Sequence, residues 1–225
     1  MTEKASILRR HRLPEHNDAE ERPSPRTPRS KAKKTTKEEK PRRAGRRVAS
    51  WPTPPIIRTI GHSTRQLEAF IAALRAHDIQ CVADIRTIPR SQRNPQFNQD
   101  SLPDALQVAG IGYVHLPELG GLRHARRDSP NTAWRNASFR GFADYMQTPE
   151  FDRGIERLLR LARRKRVALM CAEAVPWRCH RSLVADALLA RGLRVEHILN
   201  ARQARPHEIT PWAKVRNHRV TYPAK

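Results

Sequence analysis

From about residue 56 the chain alternates between short β-rich apolar runs and stretches whose apolar residues recur every three or four positions. Residues 56–60 (IIRTI), 79–85 (IQCVADI), 111–116 (IGYVHL), 167–170 (VALM) and 195–199 (VEHIL) predict five strands. Between them, Leu67, Phe70, Ile71 and Leu74 fall on one helical face, and Ser63 with Gln66 fits a capping box in front of it. Residues 101–109 predict a short helix stopped by Gly110. Phe139, Phe142, Ala143 and Met146 share a face. Thr148 then suits an N-cap and Pro149 the first position of a helix carrying Phe151, Ile155, Leu158, Leu159 and Ala162. Leu183, Val184, Ala187 and Leu188 mark a last helix ahead of Gly192, and the final 26 residues are too polar to assign. Strand–helix–strand units of this kind imply right-handed crossovers. The expected fold is a Rossmann-like three-layer α/β domain with a mainly parallel sheet of about five strands.

Composition divides the chain in two. Residues 1–50 hold 16 basic and 7 acidic side chains and few apolar ones, leaving 28 basic and 15 acidic for residues 51–225. The first segment cannot bury enough apolar surface to offset its ordering entropy, so a disordered basic tail is expected before a single domain over 51–225. Such a polycation suits non-specific attachment to nucleic acid, or serves only as a solubilising extension. No run of about 18 apolar residues exists to span a membrane. The N-terminus lacks a secretory core, and Glu3, Glu15, Asp18, Glu20 and Glu21 argue against a transit peptide. Cys81, Cys171 and Cys179 form no CxxC pair; an odd count argues against a disulfide framework and for a reducing cytoplasm. Composition says nothing of oligomeric state.

Candidate chemistry gathers where the strands end, the edge at which open α/β sheets bind ligands. The first strand runs into His62 and Ser63, the second into Asp84, Arg86 and Ser91, the third into His115. The fourth runs into Cys171 and Glu173 and then Cys179, His180 and Arg181. Glu173 at a strand end is a candidate general acid or base, with His62 and His180 as further proton carriers. Cys179 near a helix start is a candidate nucleophile. That helix start, with Arg181, suits an anion, and Ser63, Arg86, Ser91 and His115 complete the ligand-binding set. Asp84 and Arg86, two apart on one strand face, read either as an orienter with a substrate contact or as a structural ion pair. His62, His115, His180 and Cys171 have the chemistry of metal ligands, but their spacing matches no zinc signature, so no metal is expected. Both GxGxxG and GxxxxGK[ST] are absent, which disfavours those cofactor routes and leaves the cofactor unknown.

Four elements together carry a resemblance: TIGHS at 59–63, ADIR at 83–86 with Pro89 and Ser91, YVHLP at 113–117 with LGG at 119–121, and CAE at 171–173 followed by Pro176 and CHR at 179–181. Over about residues 56–200 the chain resembles the bacterial family known as domain of unknown function 488. The resemblance implies an α/β fold and the same strand-end residues, and it implies no particular reaction. The expected function is therefore an α/β enzyme acting on a phosphate-bearing or other anionic ligand, a nucleotide or nucleic acid. A non-catalytic nucleic-acid-binding module and a small-ligand sensor stand as alternatives.

Overall fold

The computed structural model describes residues 54–224; the basic segment 1–50 lies outside them. Among the described residues, six strands form one sheet: β1 (Ile56–Gly61), β2 (Cys81–Asp84), β3 (Gly112–His115), β4 (Val167–Cys171), β5 (Arg194–Asn200) and β6 (Gln203–Pro206). Their spatial order is β3-β2-β4-β1-β5-β6. The first five are parallel, and β6 turns back antiparallel against β5. The fold is α/β, as the alternation predicts.

Side-chain alternation explains the layers. Val167, Leu169 and Cys171 of β4 point to one face, where they join Phe142, Phe151, Ile155, Leu158, Leu183 and Leu188. Ala168 and Met170 point to the other, among Phe70, Leu74, Leu102 and Leu106. Helices α1 (Leu67–Ala76) and α2 (Leu102–Val108) thus cover one face. Helices α3 (Ala137–Tyr145), α4 (Pro149–Ala162) and α5 (Arg181–Leu189) cover the opposite one. Thr148 caps α4 through its side chain, which accepts from the Phe151 N–H, and Pro149 sits in the first turn. The capping box ahead of α1 does not form. The helix begins at Leu67 with Gln66 at the N-cap and no side-chain cap, while Ser63 adopts a left-handed φ of 46°.

The unassigned C-terminus has structure that periodicity cannot reveal, because its strands are three or four residues long and largely exposed. Strand β7 (Lys214–Arg216) pairs with β8 (Arg219–Thr221) as a separate hairpin. A buried polar network anchors this region to α5. Asp186, fully buried, accepts from Thr210 N and Oγ1, from the Tyr222 hydroxyl and from His207 Nε2. With Nε2 donating, His207 Nδ1 faces His197 Nε2 at 3.0 Å, and His197 Nδ1 meets the Thr59 hydroxyl at 2.7 Å. Every donor is matched, which is the condition for burying such a chain at all. No helix among the described residues is long and apolar enough to cross a membrane.

Burial, with His207 alongside, pushes His197 down to about 3. The unfolded chain therefore binds a proton below about pH 6.5 that the folded protein refuses until about pH 3. Stability should fall across that window by up to about 1.4 kcal/mol per pH unit from this one group. Between about pH 7.5 and about pH 5, urea unfolding of His197→Gln should lose about 2 kcal/mol less than wild type does; equal losses would contradict the assignment.

Candidate functional site

The strand order dictates where a site can form. The connection leaving β1 passes to the α1 face and runs outward to β2, whereas the one leaving β4 passes through α5 on the opposite face to β5. Neighbouring parallel strands whose exits diverge leave a crevice between their carboxyl ends. Gly61 lies opposite Cys171 in the register, and the pairing runs on through His62 N–H to Cys171 O at 3.0 Å and Ser63 N–H to Ala172 O at 2.9 Å. A cleft of about 450 Å³ opens there.

Beneath its lining lies a floor of buried polar groups that meets the cleft through His62, while Asp84 and Arg86 do not line it. Arg86 grips Asp84 bidentately, with Nη2–Oδ2 at 2.6 Å and Nε–Oδ1 at 2.9 Å, and the two side chains are 5% and 0% exposed. Tyr113 also donates to Asp84, at 2.7 Å. Burial and that carboxylate push its hydroxyl up, so Tyr113 stays a neutral donor. Arg86 further donates to Phe97 O and, through Nη1, to His62 Nε2 at 3.2 Å. Guanidinium cannot accept, so His62 carries its proton on Nδ1, which donates to Ser63 O. Burial lowers the His62 pKa, its ring stacks on Phe97 at 4.4 Å, and both ring nitrogens are occupied. His115 Nε2 donates to the Arg86 carbonyl. Of the two readings of Asp84 and Arg86, the geometry is that of a structural ion pair, and His62 is a held ring rather than a free proton carrier.

Above this floor three reactive side chains converge. The Nδ1 of His180 lies 3.7 Å from Cys179 Sγ and 3.9 Å from Cys171 Sγ. His180 Nε2 lies 3.1 Å from the Ile85 carbonyl, which only accepts, so the ring's other nitrogen turns its lone pair to the sulfurs. A hydrogen bond from Cys179, with His180 also in reach, pulls the Cys171 thiol well down. As the donor, Cys179 is pushed up, and burial adds to this. The sequence expectation names Cys179 as the candidate nucleophile; the structure sets Cys171 Sγ beside it, with both sulfurs facing His180 Nδ1. Gly121 makes room, since a Cβ there would stand 3.0 Å from that nitrogen.

Two expected anion contacts turn away. Arg181, 1% exposed, donates to the carbonyls of Glu173 and Ala174 and so staples the loop after β4. A Cβ on Gly61 would overlap that same Glu173 carbonyl, so the strand must be bare where the loop crosses it. The α5 start is also engaged internally: Arg181 N–H faces Cys179 Sγ, Ser182 N–H bonds Cys179 O, and Leu183 and Val184 N–H bond His180 O. In their place Arg93 and Arg178 line the cleft, exposed and unpaired with any carboxylate among the described residues. Ser63, Ser91 and Glu173 line it too, Glu173 with an exposed side chain rather than in the low-dielectric setting expected, while His115 lies outside.

Arg93 and Arg178 are the charged cleft residues that sequence reasoning passes over. Cys171, at the end of the most apolar strand, is found by the strand-end rule, which names it for its metal-ligand chemistry rather than as a nucleophile. The two arginines sit in irregular loops without a pattern. The fold and site define an α/β domain with a polar cleft at its topological switch point. Residues 66–188 match the family described as domain of unknown function DUF488, and the chain belongs to that family. No curated protein and no solved structure matches the chain.

Removing the carboxylate of Asp84 would leave Arg86 charged and buried without a counter-ion. Asp84→Ala should cost about 3–5 kcal/mol in chemical unfolding. A variant as stable as wild type would show that the pair is not what holds the floor.

Proposed function

We propose that the protein is an enzyme acting on a small phosphate-bearing or otherwise anionic ligand, with a nucleotide as the best-fitting class. The ligand's charge would be met by Arg93 and Arg178, and its reacting atom by the Cys171–Cys179–His180 cluster. Glu173 at the mouth would exchange protons with solvent, and Ser63 and Ser91 would orient the ligand by hydrogen bonds. One observation carries this reading: two unpaired guanidinium groups and a convergent sulfur–imidazole cluster share the cleft at the switch point. Guanidinium forks match phosphate and carboxylate geometry, and a site with positive rim and reactive interior is the usual form for acting on such ligands. Free cysteines at the centre fit work in a reducing compartment, the cytoplasm. The basic segment 1–50 would add only salt-sensitive, sequence-independent attachment to nucleic acid.

A thermal-shift panel of ADP, pyrophosphate and sugar phosphates on the full chain tests the ligand class. A ligand at about 100 times its Kd should stabilise the fold by about 2.7 kcal/mol. Replacing both Arg93 and Arg178 with Ala should weaken binding by roughly tenfold or more, since each charged hydrogen bond contributes about 1.5–3 kcal/mol. Failure of every anion to stabilise the protein, or equal binding by the double variant, would overturn the reading.

A further inference from the structure

We propose that Cys171, Cys179 and His180 are the protein ligands of a divalent transition-metal ion of the borderline-soft class, zinc foremost, with the remaining coordination position open to the cleft. The inference deepens the functional reading above and rests on it for the role of that open position.

The geometry is already close to that of a bound site. Sγ of Cys171, Sγ of Cys179 and Nδ1 of His180 all lie within 4.8 Å of one another. Tetrahedral zinc, with Zn–S near 2.3 Å and Zn–N near 2.0–2.1 Å, needs S···N separations of about 3.6 Å. The two present are 3.7 and 3.9 Å, within a few tenths of an ångström of that separation, and the two sulfurs lie within 4.8 Å of each other.

The surroundings are those of a metal centre as well. Ligating histidines hand their second N–H to a carboxylate or carbonyl, which fixes the tautomer and aims the free nitrogen at the ion. His180 meets this condition through the Ile85 carbonyl. The Arg181 N–H faces Cys179 Sγ at 3.5 Å, the kind of amide contact that stabilises a bound thiolate. Gly121 leaves the space beside Nδ1 unfilled. No carboxylate belongs to the cluster, so magnesium and calcium, which require oxygen ligands, do not fit. Two thiolates and an imidazole with an open fourth position match the donor set of catalytic rather than structural zinc. The spacing escapes zinc signatures because one ligand ends a strand and the other two stand eight and nine residues later, at a helix start.

The test is titration of the reduced, chelator-stripped full chain with Co²⁺ and then Zn²⁺. One Co²⁺ per chain should bind with thiolate-to-cobalt charge-transfer absorption in the near ultraviolet, displaced by Zn²⁺. The Cys171→Ser/Cys179→Ser double variant should lose the band and more than about a hundredfold in affinity, beyond what loss of an outer partner costs. His180→Gln should retain a weakened, altered band, and Cys81→Ser should match wild type. Absence of the band in wild-type protein overturns the proposal whether or not any variant folds, and so does a band that survives the double variant. ADP binding to metal-free protein separates the two readings. If ADP binds and Co²⁺ does not, the metal site falls and the anion cleft stands. If Co²⁺ binds and no anion does, the metal site stands and the functional reading falls.

Discussion

A carboxylate with no exposed surface must have its charge answered within the protein, and Asp84 is answered by Arg86 and Tyr113. That demand organises the carboxyl ends of the central strands. Arg86, held by its bidentate contact, has two further directions to donate, and it spends them on the Phe97 carbonyl and the His62 ring. One ion pair at the end of β2 thereby ties together the β1 exit, the loop carrying Phe97 and, through Tyr113, strand β3. Each of these groups is the partner of another, and His62 brings the network to the cleft.

The polar residues around the cleft divide by the direction of their charge. Arg86 and Arg181 face inward and act on backbone and buried carboxylate. Arg93 and Arg178 line the cleft and face solvent. Arg181 also governs the cluster indirectly. By gripping the Glu173 and Ala174 carbonyls it sets the path of the loop that separates Cys171 from Cys179. Gly61 permits that path, because any side chain there would collide with the loop. The position of the sulfur–imidazole cluster thus depends on Arg181 and Gly61, neither of which lines the cleft.

Apolar runs and helix periodicity are enough to read the three-layer α/β fold from the sequence, since β2 and β4 are buried at every position between two helical layers and α1 and α4 each bury one regular face. The short exposed strands β6 to β8 escape, because a three-residue strand with few buried side chains has no period to detect. The cleft's position is legible from the strand-end rule, and Ser63, Ser91, Glu173, Cys179 and His180 do line it. The direction each side chain takes is not legible. The string ADIR allows Arg86 to pair with Asp84 without deciding it, and nothing in CHR says that Arg181 will bond the loop before it. Those outcomes are decided by burial, which requires an inward arginine to find acceptors wherever the surrounding backbone offers them.

The central claim is that the switch-point cleft is the working site of this family member. Backbone amide shifts of isotope-labelled protein during titration with ADP test it directly. Changes are expected at Ser63 and Thr64, across Ser91 to Asn94, at Gly121 and Leu122, and from Ala172 to His180. Changes concentrated elsewhere, such as in the aromatic hollow lined by Trp134, Trp177 and Trp212, would contradict it.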